Sequence, residues 1–545
     1  MKRLSGLFML LSLLLLFMLT PAGAAEEFSY TVDLQTDSLS PASEISLAAL
    51  PETAVFDYDS PGYGAQLEDP IAVAAYNTLA QHLTPSSDTV RVDLSSIALD
   101  DLSQITAPIQ AALSAYVFDH PESQYCLIGN YRVSYSLDEE GRIANAAVTY
   151  IVRQDSRSAA MKEALDAYLE TFCADFDTTL PVSEQYRAIH DHICDLAVYN
   201  HSAAAAGVVS DAHTLYGLLV LKQAVVCEGY AKSFKILCDA VGLPCILVNG
   251  EASQADSDGK VHFTGRSNHM WNAVELDGSW YSVDTTWDDM DTEEGSLPGC
   301  PDMALSLTSY DYFLNNTPFL PENPAQDHRS TGNIYFLSSF PMTFALPELA
   351  VGSFPGSGTS PGRLTISYFG STLEIPDMLW DYQLGTIPLQ SISDITIRLF
   401  TPQTLSHTLS VPAGKSYVLT SPAEQPLTIA RSDGFDGPLF LLSGALTLHR
   451  VSPDTTPSLP LATVSGGSIS GADVSQMTCR PPSGTEEFLC LQASYDTSGA
   501  MTRITSLDTS DLTYGSLFPS GGNGLTRSFL LDSHTLAPLS FDLIP

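Results

Sequence analysis

Cys227 stands in the stretch VVCEGYAKSF (225–234), where a β-branched run gives way to helical spacing. After it, Tyr230, Phe234, Leu237, Cys238 and Val241 fall on one helical stripe, Gly242 suits a C-cap and Pro244 forbids continuation. The spacing therefore predicts that Cys227 opens a helix. Unpaired backbone N–H groups and the helix dipole favour an anion at that end, which draws a thiol toward its nucleophilic thiolate. Cys238 lies on the apolar stripe and Cys245 opens the run CILVNG, so both read as small buried hydrophobes.

A histidine and an acid come next, at a spacing that can be worked out from strand geometry. The runs HMWNAVEL (269–276) and SWYSVDTTW (279–287) flank Asp277-Gly278, a pair suited to a two-residue type I′ turn. Such a turn pairs Leu276 with Ser279; counted back along both strands, His269 faces Thr286 and Trp271 faces Asp284. His269 and Asp284 then share one face a diagonal step apart, about 7–8 Å between backbones. Thiolate, imidazole and carboxylate are the parts of a Cys–His–Asp nucleophilic site. In that chemistry His269 takes the thiol proton and later returns it to a leaving amine. Asp284 holds the ring tautomer and stabilises the imidazolium.

The remaining candidates read more plainly. His190, His192, His213, His262 and His328 lack a comparable cysteine and acid context, so surface or structural roles are expected for each. Trp271, Trp280 and Trp287 pack the hairpin, or one of them, Trp271 or Trp287, walls a substrate groove. The acidic run DDMDTEEG (288–295) lacks a calcium loop's glycine at the sixth position and its closing glutamate spacing, and reads as solvated. No metal or cofactor site is read.

Around this constellation the pattern predicts a signal peptide (1–24) and a polar leader (25–60) with little packing of its own. An N-terminal α/β region (61–160) carries helical spacing in IAVAAYNTLAQHL and ITAPIQAALSAYVFDH and strand alternation in NYRVSYSLDEEGRIANAAVTYIV. The catalytic core is expected at 161–335. The stretch GSFPGSGTSPG (352–362) reads as a linker that isolates the later β-rich segments from that core. Beyond it, β-type runs at Pro438 and Pro460, 22 residues apart, suggest rungs of a short β-solenoid-like domain (363–480). A small β-sandwich is expected at 485–545.

Composition narrows the function classes. Lys2, Arg3, the apolar run Leu7–Leu19 and Ala22-Gly23-Ala24 make a secretory signal, and no second stretch could span a membrane. The 545-residue chain carries 63 acidic against 23 basic residues; losing residues 1–24 removes two basic ones, giving 21 − 63 = −42. Such a surface disfavours nucleic acid and anionic lipid. Nine cysteines in an exported chain suggest disulfides but leave at least one free thiol; Cys479 and Cys490, set apart from the others toward the C-terminus, are candidates to pair.

VVCEGYAKSFKILCDAVGLPC, NHMWNAVELDGSWYSVDTTWDD and the later YDYFLNN and DHR resemble the transglutaminase-like superfamily of papain-type cysteine enzymes, closest to its exported bacterial members. The likeness covers roughly 61–330. Carried over position by position, it places the nucleophile on Cys227, the base on His269 and the acid on Asp284. It implies an oxyanion hole built on the backbone N–H of Cys227, with Tyr199 or Gln223 as a second donor. The expected fold is α+β, a papain-like, transglutaminase-like core with an N-terminal α/β region and β-rich accessory domains. The expected function is secreted acyl transfer from amides through a Cys227 thioester, as hydrolysis of a peptide or cell-wall-associated amide. Protein cross-linking, or a non-catalytic surface adhesion or binding role with a vestigial triad, are the alternatives.

Overall fold

A computed structural model of the chain describes residues 27–33, 62–154, 157–206, 210–256, 258–321, 323, 326–330, 333–334, 342–357, 362–401, 403–420, 429–431, 440–449, 460–469, 488–495, 501–507 and 526–532. The signal segment and Cys479 lie outside these residues. Among them no helix is long and apolar enough to cross a membrane. The chain divides into two compact units.

The first unit takes the chain up to Asp175, with Val208–Ser210 and Gly332–Leu346. Its helices α1 (Pro70–His82) and α2 (Thr106–Asp119) lie where the apolar spacing places them. Asp69 caps α1 by accepting from the Ile71 N–H at 2.8 Å, and Pro70 takes the first helical position, where its missing N–H costs nothing. Strands β1 (Glu27–Asp33), β2 (Thr89–Asp93), β3 (Cys126–Leu137) and β4 (Ile143–Gln154) form an antiparallel sheet in the order β1-β3-β4-β2. Ile71, Leu79, Ile109, Leu113, Val133 and Val148 share its core. The leader is not wholly unpacked: Tyr30 pairs with Val133, because the alternation of EFSYTVD suits an edge strand. Helix α3 (Ser158–Asp175) ends the first and longest segment of this unit.

The second unit holds the cysteine and its partners. Helix α4 (Val182–Leu196) buries Tyr186, Ile189 and Ile193, and the Tyr186 hydroxyl donates to the carbonyls of Pro244 and Glu275. Helix α5 (Cys227–Ala240) stops at Gly242, whose φ of +76° is the left-handed conformation a C-terminal cap needs. The strands β5 (Cys245–Ala252), β6 (His269–Leu276) and β7 (Ser279–Val283) are followed by a short helix, Thr285–Asp288. Next come β8 (Asp289–Asp291), β9 (Met303–Thr308) and β10 (His328–Ser330). An antiparallel sheet runs β10-β5-β6-β7. Asp277 and Gly278 turn with φ of +52° and +75°, as a type I′ turn requires, and Leu276 pairs with Ser279.

The 352–362 stretch does not isolate the β-rich segments beyond it. Strand β11 (Arg363–Tyr368) pairs antiparallel with β9, Leu364 opposite Leu307 and Ile366 opposite Leu305. The Arg363 guanidinium also reaches Asp195 at 3.1 Å. The sheet continues through parallel strands β12 (Asp394–Leu399), β13 (Ser416–Thr420) and β14 (Phe440–His449), stacking Leu364, Ile395, Tyr417 and Leu446 in one buried row. The two runs read as successive rungs pair differently: β14 and β15 (Pro460–Ile469) are antiparallel neighbours, Leu446 opposite Val464. In the last region, Phe488–Tyr495 lies between Met501–Leu507 and Thr526–Asp532 in a three-stranded antiparallel sheet; a second sandwich layer would fall outside the described residues.

This continuity predicts that a chain ending at Gly352 is unstable. Uncovering Met303, Leu305 and Leu307 should cost about 1.5–3 kcal/mol each. The expected result is loss of the cooperative melt expected of the full chain. An unchanged melting transition would mean that the second unit's core closes without β11.

Candidate active site

Helix α5 opens at Cys227, and its N-cap residue, Val226, has no side chain able to cap the first-turn N–H groups. The segment leading to it is pinned from both sides: the Val225 N–H donates to the Val198 carbonyl and the Asn200 N–H to the Val225 carbonyl, each at 2.9 Å. The Cys227 thiol is half-buried, whereas the thiols of cysteines 194, 238, 245 and 300 are buried. Burial pushes the Cys194 and Cys238 thiols up, so neither is a ready nucleophile.

His269 begins β6 and points its Nε2 at Asp284 Oδ2, 2.5 Å away. Its side chain also hydrogen-bonds Cys227; with Nε2 on the acid, Nδ1 is the ring nitrogen left for the thiol. Burial by itself would lower the His269 pKa. The charges of Asp284 and Cys227 and the hydrogen bonds to both outweigh it and push the value up to about 10. Burial would likewise raise the Asp284 carboxyl, but His269 and then His328 hold it well below the usual carboxylate range. Its other oxygen accepts the backbone N–H groups of Thr286 and Trp287 at 3.0 and 3.3 Å, so Asp284 also caps the short helix after β7.

The other sequence candidates divide. Tyr199 is bridged to Val225 and lies near enough for the charges of Cys227 and Asp284 to act on its phenol after burial. Gln223 is exposed; its backbone N–H goes to Gly217, and among the described residues no contact joins its side chain to the thiol. Trp271 is packed rather than open, stacked on His269 with ring centres 6.0 Å apart and buried beside Phe319. Gly250, opposite His269, admits it: a Cβ there would lie 2.2 Å from the indole. Trp287 is half-buried, with its ring centre 6.1 Å from that of His269.

Two sequence expectations are corrected here. His328, read as lacking an acid context, is fully buried and donates from Nε2 to Asp284 Oδ2 at 2.9 Å. The DHR stretch was legible, but nothing local ties it to an acid 44 residues earlier. The acidic run at 288–295, expected to be solvated, begins in the interior. Asp288 is fully buried against His190 of α4 at 3.0 Å, and Asp289 accepts from the Tyr230 hydroxyl at 2.6 Å. Charges are tolerated there because each has a partner.

Among the described residues, His269, Asp284 and His328 form the one group whose ligand atoms, within 4.8 Å of one another, could surround a metal ion. Both ring nitrogens face the same carboxylate oxygen at hydrogen-bond distance, so we assign the group to proton-bearing hydrogen bonds and not to a metal centre.

A helix-start thiol, a strand histidine and a carboxylate in hydrogen-bonded succession define a papain-type thiol site. The Transglutaminase-like superfamily model matches residues 170–285, which span Cys227, His269 and Asp284: this part of the chain is similar to a transglutaminase-like core. Kyphoscoliosis peptidase of Mus musculus is 28% identical over 258 residues, 45% of this chain and 38% of that protein. The Homo sapiens protein of the same name is 30% identical over 171 residues, 31% of this chain and 23% of that one. The chain thus spans well under half the length of these curated relatives. A solved structure of a candidate cysteine protease from Cytophaga hutchinsonii shares 16% identity, covering 27% of this chain and 59% of that one, with a TM-score of 0.18.

Proposed function

We propose that the chain is a cysteine-dependent acyl-transfer enzyme that opens amide bonds through a Cys227 thioester. The observation that supports this most is the unbroken succession Cys227–His269–Asp284, with the His269 ring held at 2.5 Å by its acid. The thiolate attacks the amide carbonyl while His269 carries the proton. Negative charge on the carbonyl oxygen is met by the Cys227 backbone N–H, with the Tyr199 hydroxyl the better placed of the two candidate second donors. His269 then protonates the departing amine, and the acyl group stays on sulfur. Water, activated by the now neutral His269, completes hydrolysis; an amine in its place would give a cross-link.

Hydrolysis of a protein or peptide is the reading we favour, since the curated relatives are named peptidases. Export through the N-terminal signal and action on an extracellular or cell-wall-associated amide belong to the same proposal. Trp287 is the residue we place along the groove. The test is to incubate the full chain with secreted-protein and wall extracts, quench in acid and search Cys227 peptides for an acyl mass. A thioester on Cys227 that hydroxylamine removes is the expected result. Acyl adducts spread over several cysteines, or none on Cys227, would overturn the proposal.

A further inference from the structure

The acid of the site is shared. Asp284 Oδ2 accepts from His269 at 2.5 Å and from His328 at 2.9 Å, and the two rings lie 5.4 Å apart. His328 sits on β10, at the edge of the sheet that carries His269, opposite Ala252. Its second nitrogen, Nδ1, faces Asp327 Oδ1 at 2.6 Å, and the other oxygen of Asp327 accepts the Tyr312 hydroxyl at 2.7 Å. Rings of Trp287, Phe319, Tyr312 and Trp271 surround it at 4.5, 4.6, 5.1 and 5.4 Å. Ionised carboxylates only accept hydrogen bonds, so both nitrogens of His328 are placed to donate, one to each acid.

We infer that His328 is a positioning residue for the reaction at Cys227: it clamps Asp284 and, as a second cation on the shared oxygen, limits how tightly His269 keeps its proton. The inference rests on the proposed acyl-transfer function. The physical need is specific. A base braced by a buried carboxylate alone would hold its proton too firmly to deliver it to a leaving amine, and proton transfer works best when the donor's pKa lies near the working pH. A like charge a few ångströms away lowers that affinity by about one pH unit or more. The titratable groups facing His269 among the described residues are Cys227, Asp284 and His328, the first two also acting on Tyr199. Those facing His328 are Asp284, Asp327 and His269, with Tyr312 bonded to Asp327.

The test needs no substrate. Iodoacetate, an anion, alkylates the Cys227 thiolate fastest while His269 is an imidazolium, so its rate against pH falls on the alkaline side as that proton is lost. In the wild-type full chain Cys227 should label ahead of Cys194 and Cys238. His328→Gln keeps an amide donor on Asp284 without the cation, and should move the alkaline limb up by about one pH unit. Asp327→Asn should move it the same way, leaving His328 neutral but still donating to Asp284. His328→Phe fills the aromatic box without a donor and should also slow labelling roughly tenfold through a misplaced Asp284, a loss that His328→Gln largely avoids. If folded His328→Gln and Asp327→Asn both keep the wild-type limb, His328 only packs and the inference is overturned. If wild-type Cys227 labels no faster than the buried thiols, the proposed function falls and this inference with it.

Discussion

Replacing Asp284 with asparagine should lower kcat roughly 10²–10³-fold with little change in substrate binding. The four groups bonded to this carboxylate are all donors: His269, His328 and the backbone N–H groups of Thr286 and Trp287. An asparagine amide offers one acceptor and one donor. Turned either way, it sets an N–H against two N–H groups, at the rings or at the helix start. Against the rings it invites the wrong His269 tautomer, with the proton on the nitrogen that should receive it from the thiol. The loss should stay below that of the corresponding serine triads, because a thiol is more acidic than a hydroxyl and needs less from its base. A pH signature accompanies it. His269 carries its proton up to about 10 largely through Asp284 and Cys227, acting against burial. With the carboxylate gone, the imidazolium should be lost nearer the ordinary histidine value of about 6.5, pulling the alkaline limb of kcat/KM down. Full activity in a folded Asp284→Asn chain, or an unmoved limb, would remove Asp284 from the mechanism.

How much of the fold and site is legible in the chain depends on how far apart the interacting residues are. The start of α5 at Cys227, its end at Gly242 and the Leu276–Ser279 register depend on residues within a few positions, and the structure places all three where local spacing does. His328 was out of reach because β10 is only three residues long, too short to show a period, and its bond to Asp284 exists only after the sheet closes. The strand pairing of β14 with β15 shows the limit from another side. A repeated run reports that two segments are strands, but their relative direction depends on how the intervening chain returns. The linker composition at 352–362 gave no sign that β11 returns to pair with β9, since an apolar alternating strand looks alike whichever sheet accepts it. Acidity misled most at Asp288. Charged residues are rarely buried without a partner, and its partner lies 98 residues earlier.

That partner makes Asp288→Ala the substitution expected to destabilise the fold most. Asp288 Oδ2 meets His190 Nε2 at 3.0 Å; its Oδ1 accepts the Ser309 hydroxyl and, at 3.1 Å, the Tyr312 N–H. Both members of the pair are fully buried, and His190 is held on its other side by Asp191 at 3.1 Å. Alanine would leave a buried imidazolium with one partner fewer and an interior N–H with none, a defect of about 3–5 kcal/mol. The urea midpoint should fall accordingly, where replacing a surface aspartate would change stability by about 0.5 kcal/mol or less. The sign of the pH dependence identifies the cause. Burial opposes the His190 charge, but Asp191 and Asp288 outweigh it and raise its pKa to about 9. A raised histidine contributes fully below the unfolded value of about 6.5 and loses that contribution as pH climbs through the folded value. The stability gap between wild type and Asp288→Ala should therefore be widest below about pH 6.5 and narrow toward 9. A gap that stays constant across that window would point to lost packing instead of a broken ion pair, and a gap near zero would mean that Asp288 is not buried in solution.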